Sequence, residues 1–396
     1  MANYDYDVIT VGGGIGGASV AKVLAEKGLR VLVTEREETF KDRIRGEWLA
    51  PWGCAEAQKL GLYDLLIEKC AHRQPYFSFA GFMRDLRTTT PQKMGALTFY
   101  HASMQEVILD AAEAAGTEVM RGVKVTHVGP GKAPSVSIES KDVVRDVTAR
   151  LVICADGRSS SGRNWGEFSV KRGRQRLLGA GVLLDNVAVP DDTALSMLNP
   201  MLGRAAYLFP QGDRRVRAYL MYGESDVGRL QGDSAISRFA HACGQTGIPG
   251  DTYADARPVG PLASFDMTET WVDHPYREGL ALIGDAAGSS DPTWGQGMSL
   301  TLRDARVLST ALLTTDDWEA AGNAYASARD RYFHAMVTTE DWAFQMFIEP
   351  GPINDEMRTR AMPLIAADLT RIPDHGFSGP DLPFDEAVRR RFFGEE

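Results

Sequence analysis

Gly12, Gly14 and Gly17 stand in a G-x-G-x-x-G frame, directly after the apolar run Asp5–Val11 and directly before a helix-like stretch, Ile15–Lys27. Each glycine has its own physical task. Gly12 makes the tight turn, Gly14 lets the backbone come close to a pyrophosphate, and Gly17 lets helix and strand pack closely. Ile15 and Gly16 lie in the first helical turn, where free N–H groups and the positive dipole end face an anion. A second strand, Arg30–Thr34, ends at Glu35, about 20 residues beyond the glycines, where an acid suits a ribose hydroxyl pair. Arg36 follows it. Strand, helix and acid together point to a bound dinucleotide.

The kind of dinucleotide is indicated far downstream. Residues 279–285 read as a buried strand ending in Gly284-Asp285. Pro292, Trp294 and Gly295-Gln296-Gly297 follow, and Met298 opens a helix over Met298–Leu313. A carboxylate at the strand end can hold a sugar or ribityl hydroxyl, and the helix N-terminus beyond Gly297 can stabilise negative charge on a reduced flavin ring. An extended FAD needs this second half-site; NAD does not. Between the two lies a strand, Leu151–Ala155, followed by Asp156-Gly157-Arg158-Ser159-Ser160-Ser161-Gly162-Arg163, a D-G-x-x-S-x-x-R pattern. Ser160 and Arg163 can tie that loop to the cofactor region; alone, the loop also reads as an ordinary Asx-turn.

The three motifs, in this order over roughly residues 5–345, resemble the FAD-dependent monooxygenases of the para-hydroxybenzoate hydroxylase type. The resemblance implies an α/β fold: a Rossmann-like FAD-binding domain with a discontinuous insertion that forms a mostly antiparallel β-sheet substrate domain, plus C-terminal helices. The expected division is 1–75, 98–175 and 275–350 for the FAD-binding domain, 76–97 and 176–274 for the substrate domain, and 351–396 for a C-terminal helix and tail. By the same resemblance Gly12, Gly14, Gly17 and Glu35 bind the ADP half of FAD. Asp285 binds the flavin side, and Pro292 to Gly297 lie along the isoalloxazine ring. Asp156, Gly157 and Arg163 belong to a segment associated with both FAD and NADPH or NADH. Arg45, in Arg45-Gly46-Glu47-Trp48-Leu49-Ala50-Pro51, stands where an arginine often reaches the cofactor. His101, before the helix Met104–Ala115, takes a place where many relatives carry Arg; it is either a phosphate contact or a structural histidine. Gln105 faces the flavin or solvent.

The implied reaction is hydroxylation of an aromatic or polyketide-like small molecule by molecular oxygen, through a flavin C4a-hydroperoxide, with NADPH or NADH as electron donor. The Gly-Glu-x-x-x-Pro form of residues 46–51 also looks like flavin-dependent halogenases, but no Trp-x-Trp pair occurs. A non-catalytic flavin-binding protein is a third reading. No second dinucleotide frame is visible for the nicotinamide, which leaves room for a separate flavin reductase.

The substrate pocket is expected in the sheet formed by Leu177–Leu184, Ala205–Phe209 and Val216–Tyr222. Alternation puts Arg215, Arg217 and Tyr219 on one face and Val216, Ala218 and Leu220 on the other. The first face either lines a pocket or is a polar, solvated surface. Arg217 stands in a place similar to a family arginine that contacts the flavin and substrate region. Trp294, inside the Pro292–Gly297 loop, either narrows the pocket or packs against the sheet. No catalytic base stands out among the seven histidines; His101 and Tyr222 are candidates, and a phenolate substrate needs none.

Composition agrees with an enzyme. Its 396 residues allow two subdomains, and 44% hydrophobic with 24% charged residues are ordinary for a globular chain. A net charge of −10 argues against nucleic-acid or anionic-membrane partners. No apolar run reaches about 18 residues, so no membrane span is expected. The chain starts almost directly with the first strand, so no signal or transit peptide is expected. Cys54, Cys70, Cys154 and Cys243 show no paired spacing and read as reduced thiols of a cytoplasmic protein, a monomer or homodimer, with no metal.

Overall fold

The computed structural model describes residues 4–141, 143–223 and 230–396. Two large sheets organise it. In the first, the strands run in the order 276–277, 280–282, 143–154, 6–11, 31–35, 118–121. Tyr6–Val11 lies at the centre, parallel to both Val31–Glu35 and Val143–Cys154, and Leu280–Leu282 extends the parallel set. Such strands are covered on both faces and so carry continuous apolar runs. Helices Ile15–Ala25, His101–Ala114 and Gly297–Thr314 cover one face through Val8, Val31, Val33, Leu151 and Ile153. The antiparallel meander 124–129, 135–140 and 143–154 folds over the other, where Ile9, Leu32 and Val152 meet Val128 and Val136. The parallel order puts the ends of three strands, with Gly12, Asp156 and Gly284 just beyond them, at one edge.

The second sheet runs 257–258, 178–185, 216–222, 204–210, 193–199, 76–79, 82–85. It is antiparallel except where Thr193–Asn199 runs parallel to Tyr76–Phe79. One face carries Phe77, Tyr207, Phe209, Tyr219 and Met221, which pack with Trp48, Trp52 and the long helix Trp318–Phe347. The other carries Val182, Leu208, Ala218, Leu220 and Tyr222 against Phe239 of the helix Ala235–Thr246.

Three local features add to the sequence reading. The stretch 53–69 is two helices, Pro51–Lys59 and Tyr63–Lys69, broken at Gly61, whose φ of +67° ends the first. Residues 48–49, 71–74 and 96–99 form a small sheet between the two large ones. The Arg217–Tyr219 face is not a solvated polar surface: Arg217 is fully buried, and only Arg215, paired with Asp185 at the strand's end, reaches water. All four cysteines are free, and among the described residues no group of acids, histidines and cysteines could hold a metal. No described helix is long and apolar enough to cross a membrane.

Candidate cofactor and substrate site

A cavity of about 910 Å³ lies where the edge of the first sheet meets the aromatic face of the second, near the top of the usual ligand-pocket range. Its first end is built on the glycine turn. Gly12 has φ +103°, and a Cβ there would sit 2.5 Å from the Ala155 carbonyl oxygen. A Cβ on Gly17 would sit 2.0 Å from the Gly12 oxygen. These two glycines let turn, strand and helix stack. Gly14 differs: a Cβ would meet only the tip of Gln105, at 3.4 Å, so its open side faces the cavity. Helix Ile15–Ala25 has no side-chain cap, which leaves its first N–H groups for a ligand. Glu35 accepts from the Gly13 N–H at 2.8 Å and the Glu37 N–H at 2.9 Å. The carboxylate is thereby fixed at the cavity wall with lone pairs to spare.

The second end is the loop from Gly284 to Met298. The Gly284 N–H donates to Asp304 at 2.7 Å, and Arg163 donates to the backbone oxygens of Asp285 and Ala286 at 2.6 and 2.8 Å. The loop is held by its backbone, while the Asp285 carboxylate has no hydrogen-bond donor among the described residues. Burial pushes its pKa up, against Arg45, Arg158, Arg163 and Arg329 around it. Gly295 is left-handed, with φ +67°, and the helix Gly297–Thr314 starts with no side-chain cap. One uncapped helix therefore faces the cavity at each end, with a fixed acid beside each. That is the donor set an extended FAD requires: N–H groups for the pyrophosphate and the flavin, carboxylates for ribose and ribityl hydroxyls. The residues present fit the group.

The sequence-derived candidates mostly converge here. Gly12, Gly14, Ile15, Gly16, Glu35, Arg36, Arg45, His101, Gln105, Asp156, Gly157, Gly284, Asp285, Pro292, Trp294, Gly295, Gln296, Gly297 and Met298 all line the cavity. Four do not. Gly17 is spent on helix packing, and Arg163 clamps the 284–286 loop from behind. Tyr222 points to the opposite face of its sheet, where its hydroxyl lies 3.3 Å from Ser264; the two-residue strand period excludes it as a pocket base. Arg217 is on the correct face but buried beneath the wall. It donates to Glu47 at 2.8 and 3.0 Å and to Asp42 at 3.0 Å, so its charge is used internally.

Glu47 is a residue the sequence reading noted only as part of a motif. Its carboxylate takes both Arg217 bonds, the His101 backbone N–H at 3.0 Å and the Gln211 amide. His101 Nδ1 lies 2.9 Å from the Gly46 carbonyl, an acceptor, so Nδ1 carries the proton. Burial holds the His101 pKa down, to about 4, and Arg45 and Arg217 add to that. The ring is neutral at pH 7 and is no cationic phosphate clamp.

Near the Pro292–Gly297 loop the cavity wall is aromatic. Trp48 is stacked on Phe209 at 6.1 Å, Tyr207 on Phe209 at 5.8 Å, and Phe209 meets Tyr219 at 5.8 Å. Trp294 closes the flank of the loop and belongs to the same cluster. Tyr219 donates its hydroxyl to the Arg45 carbonyl, pinning the 42–47 segment to the sheet.

Comparison with known proteins agrees with this geometry. A family model described as an FAD binding domain matches residues 5–338. The 6-methylpretetramide 4-monooxygenase of Streptomyces rimosus is 24% identical over 393 residues, covering 91% of this chain and 88% of that protein. The digeranylgeranylglycerophospholipid reductase of Methanocella arvoryzae is 25% identical over 343 residues, 83% and 82% of the two chains. Among solved structures, p-nitrophenol 4-monooxygenase of Pseudomonas putida superposes with a TM-score of 0.78 at 18% identity, covering 92% of this chain and 95% of that one, a likeness of fold. With the family model spanning most of the chain, and both glycine-lined ends of the cavity inside the match, the protein belongs to the FAD-binding-domain family, the FAD-dependent monooxygenases of the para-hydroxybenzoate hydroxylase type.

Proposed function

We propose that the chain is an NAD(P)H-consuming hydroxylase of an aromatic or polyketide-like small molecule. The observation that carries the reading is the junction of two unlike environments in one cavity: N–H groups and carboxylates at the Gly12 and Asp285 ends, and a wall of Trp48, Tyr207, Phe209, Tyr219 and Trp294 beside the Pro292–Gly297 loop. FAD, when bound, supplies electron transfer and the activation of molecular oxygen. The chain's part would be to bind the cofactor at the Gly12 and Asp285 ends, to keep water out with its aromatic wall, and to seat a substrate ring beside the Pro292–Gly297 loop. Glu35 and Asp285 bind sugar and ribityl hydroxyls, Gly14 to Gly16 the pyrophosphate, and Gly295 to Met298 the flavin edge. Pro292 and Trp294 meet the substrate. The neutral His101 keeps a free Nε2 acceptor. It accepts a proton only weakly, so a substrate already present as a phenolate, from a phenol acidified by electron-withdrawing groups, suits the site.

The finer features of the reading are a cytoplasmic monomer or homodimer, electrons taken directly from NADH or NADPH, and the two-domain division given by the motifs. Its test is oxygen uptake and NADH or NADPH oxidation by the purified FAD-bound protein over a panel of phenols and aromatic polyketides, with the product identified by mass. One added oxygen atom per nicotinamide supports hydroxylation. Two added hydrogens without oxygen uptake replaces it with a reductase. Consumption only in the presence of an added flavin reductase assigns the electrons to a partner protein. No consumption with either, on a protein that holds FAD, leaves a flavin-binding protein without turnover.

A further inference from the structure

The cavity's apolar end is closed by residues from far away in the chain. A short helical turn, His375–Ser378, places Gly376 and Phe377 in the wall. The Phe377 ring meets Phe77 edge-on at 5.0 Å and Trp48 edge-on at 5.9 Å. Trp48 in turn comes within 3.5 Å of the Cβ position of Gly295, in the loop that edges the flavin site. One indole therefore spans the distance between that loop and Phe377. The turn is clamped from outside. Arg84 donates to both Asp374 oxygens at 2.6 and 2.9 Å, and its guanidinium lies 4.6 Å over the Phe377 ring. Gln92 donates to the Ser378 carbonyl at 2.8 Å. Arg84 does not line the cavity, and its charge is neutralised by Asp374, so what the cavity meets here is an uncharged ring.

We propose that Phe377 is a specificity-determining residue: it is the end wall of the substrate chamber, it limits the length of the fused ring system that can lie against the flavin loop, and the Arg84–Asp374 pair holds it there. The inference rests on the reading of the site as an aromatic-substrate chamber. The physical argument is steric. Phe377 is wedged between two aromatic rings and backed by a salt-bridged guanidinium, so it cannot swing aside without giving up both ring contacts and its contact with the Arg84 guanidinium. A longer ligand must displace it; a shorter one stacks on it. Removing the ring lengthens the chamber by about one benzene ring, and loosening the clamp lets the ring yield.

The test uses the FAD-bound protein without nicotinamide, so that no turnover occurs. Binding of phenol, 2-naphthol and 2-anthrol is titrated by quenching of tryptophan fluorescence, since Trp48 and Trp294 line the site. Phe377→Ala should shift the ratio of 2-anthrol to phenol affinity about tenfold towards 2-anthrol, or ~1.4 kcal/mol. Arg84→Gln, which leaves every cavity-lining side chain in place, should move the ratio the same way by a smaller factor. A purely structural role would weaken all three ligands alike. A ratio unchanged from the parent in both variants overturns the proposal while leaving the functional reading intact. If Phe377→Ala does not fold, Arg84→Gln decides alone: a shifted ratio supports the end wall and an unchanged one removes it. A parent protein that holds FAD and binds none of the three compounds refutes the aromatic-substrate reading, and this proposal with it.

Discussion

Replacing Glu47 by Gln tests whether the wall of the cavity is held by a buried charge pair. Both Glu47 and Arg217 are shielded from water, at 0% side-chain exposure. Four donors converge on the two Glu47 oxygens: Nε and Nη2 of Arg217, the His101 N–H and the Gln211 amide. Burial pushes the Glu47 pKa up, while Arg217, the His101 N–H and Gln211 pull it down; with four donors around it and nothing to donate to, the ionised carboxylate is the form these bonds call for. Burial works against the charge of Arg217, but its bonds to Glu47 outweigh that and push its pKa up. Glutamine keeps the shape but offers one acceptor oxygen and turns an NH₂ group against donors. Two bonds are lost, and Arg217 retains only the partly exposed Asp42 as counter-charge. Breaking a buried pair from one side costs about 3–5 kcal/mol, most of it the uncompensated charge. The expected result in urea unfolding is a loss of that size for Glu47→Gln. The double variant Glu47→Gln/Arg217→Met should recover a large part of it, because the stranded cation is gone. FAD affinity should fall in the single variant as well, since Glu47 fixes the N-terminal turn of the His101–Ala114 helix and the 42–47 segment that carries Arg45. A loss under about 1 kcal/mol, the scale of an exposed pair, or a double variant weaker than the single one, would refute the reasoning.

Three further outcomes are expected. Asp285→Ala should weaken FAD binding by roughly 1.5–3 kcal/mol, the scale of a hydrogen bond to a charged group. Glu35→Ala should lose a similar amount plus some stability, because Glu35 also holds the Gly13 and Glu37 N–H groups. Equilibrium dialysis of FAD checks both, and full retention in both would remove the assigned roles. Trp294→Ala should keep its FAD yet divert a larger share of the nicotinamide consumed into hydrogen peroxide, read as the ratio of peroxide to product; an unchanged ratio with a lowered Tm would make Trp294 a packing residue. For pH, burial raises the Glu269 carboxyl to about 7, with Asp291 and Asp341 adding to the rise and Arg176 opposing it. A raised folded-state value means the native state binds the extra proton. The contribution is whole below the ordinary carboxylate range and is lost as pH rises through about 7. Glu340, whose pKa is raised by burial with Glu269 and Asp291 adding to the rise, acts in the same direction. Glu269→Gln should flatten the fall in Tm over that interval, and a Tm profile identical to the parent's would contradict it.

What the sequence showed was the part written in local chemistry. Gly12, Gly14 and Gly17 are legible because their spacing is fixed by one turn and one helix, and Glu35 because it ends the next strand. Asp285 and Gly295 to Gly297 are legible for the same reason, a strand end followed by a helix start. The fold class came with the family resemblance that those motifs carry, and the apolar runs beside helical stretches agree with covered parallel strands. What was not legible depends on pairing between distant segments. The alternation along Val216–Tyr222 correctly grouped Arg217 with Tyr219, but nothing in that strand says the face is buried, because its partner is Glu47. Tyr222, a candidate base by sequence, shares its parity with Leu220 and so faces away from the pocket. Phe377 and Asp374 carry no motif, and their place follows from Arg84, 290 residues before Asp374, and from Trp48, Phe77 and Gln92, all distant in the chain.

The same distant pairings explain how one loop can present an unsatisfied carboxylate without coming apart. The 284–286 turn is held through its backbone by two side chains, Asp304 and Arg163. The Asp304 carboxylate takes the Gly284 N–H, Tyr332 donates its hydroxyl to the other Asp304 oxygen, and Arg163 reaches the Asp285 and Ala286 carbonyls. Arg329, buried and 3.8 Å from Asp304, balances that carboxylate's charge. Every fixing bond goes to main chain or to Asp304, and none to the Asp285 side chain. The local fold therefore does not need the Asp285 carboxylate, whose burial is costly while it lacks a partner. A carboxylate that the scaffold leaves bare, at the end of a strand and beside an uncapped helix, supports the proposed role of Asp285 in holding a ligand hydroxyl. By the same reasoning Arg163, though outside the cavity, sets where the Asp285 carboxylate stands by holding the Asp285 and Ala286 carbonyls, and on the proposed reading it acts on the ligand only through Asp285.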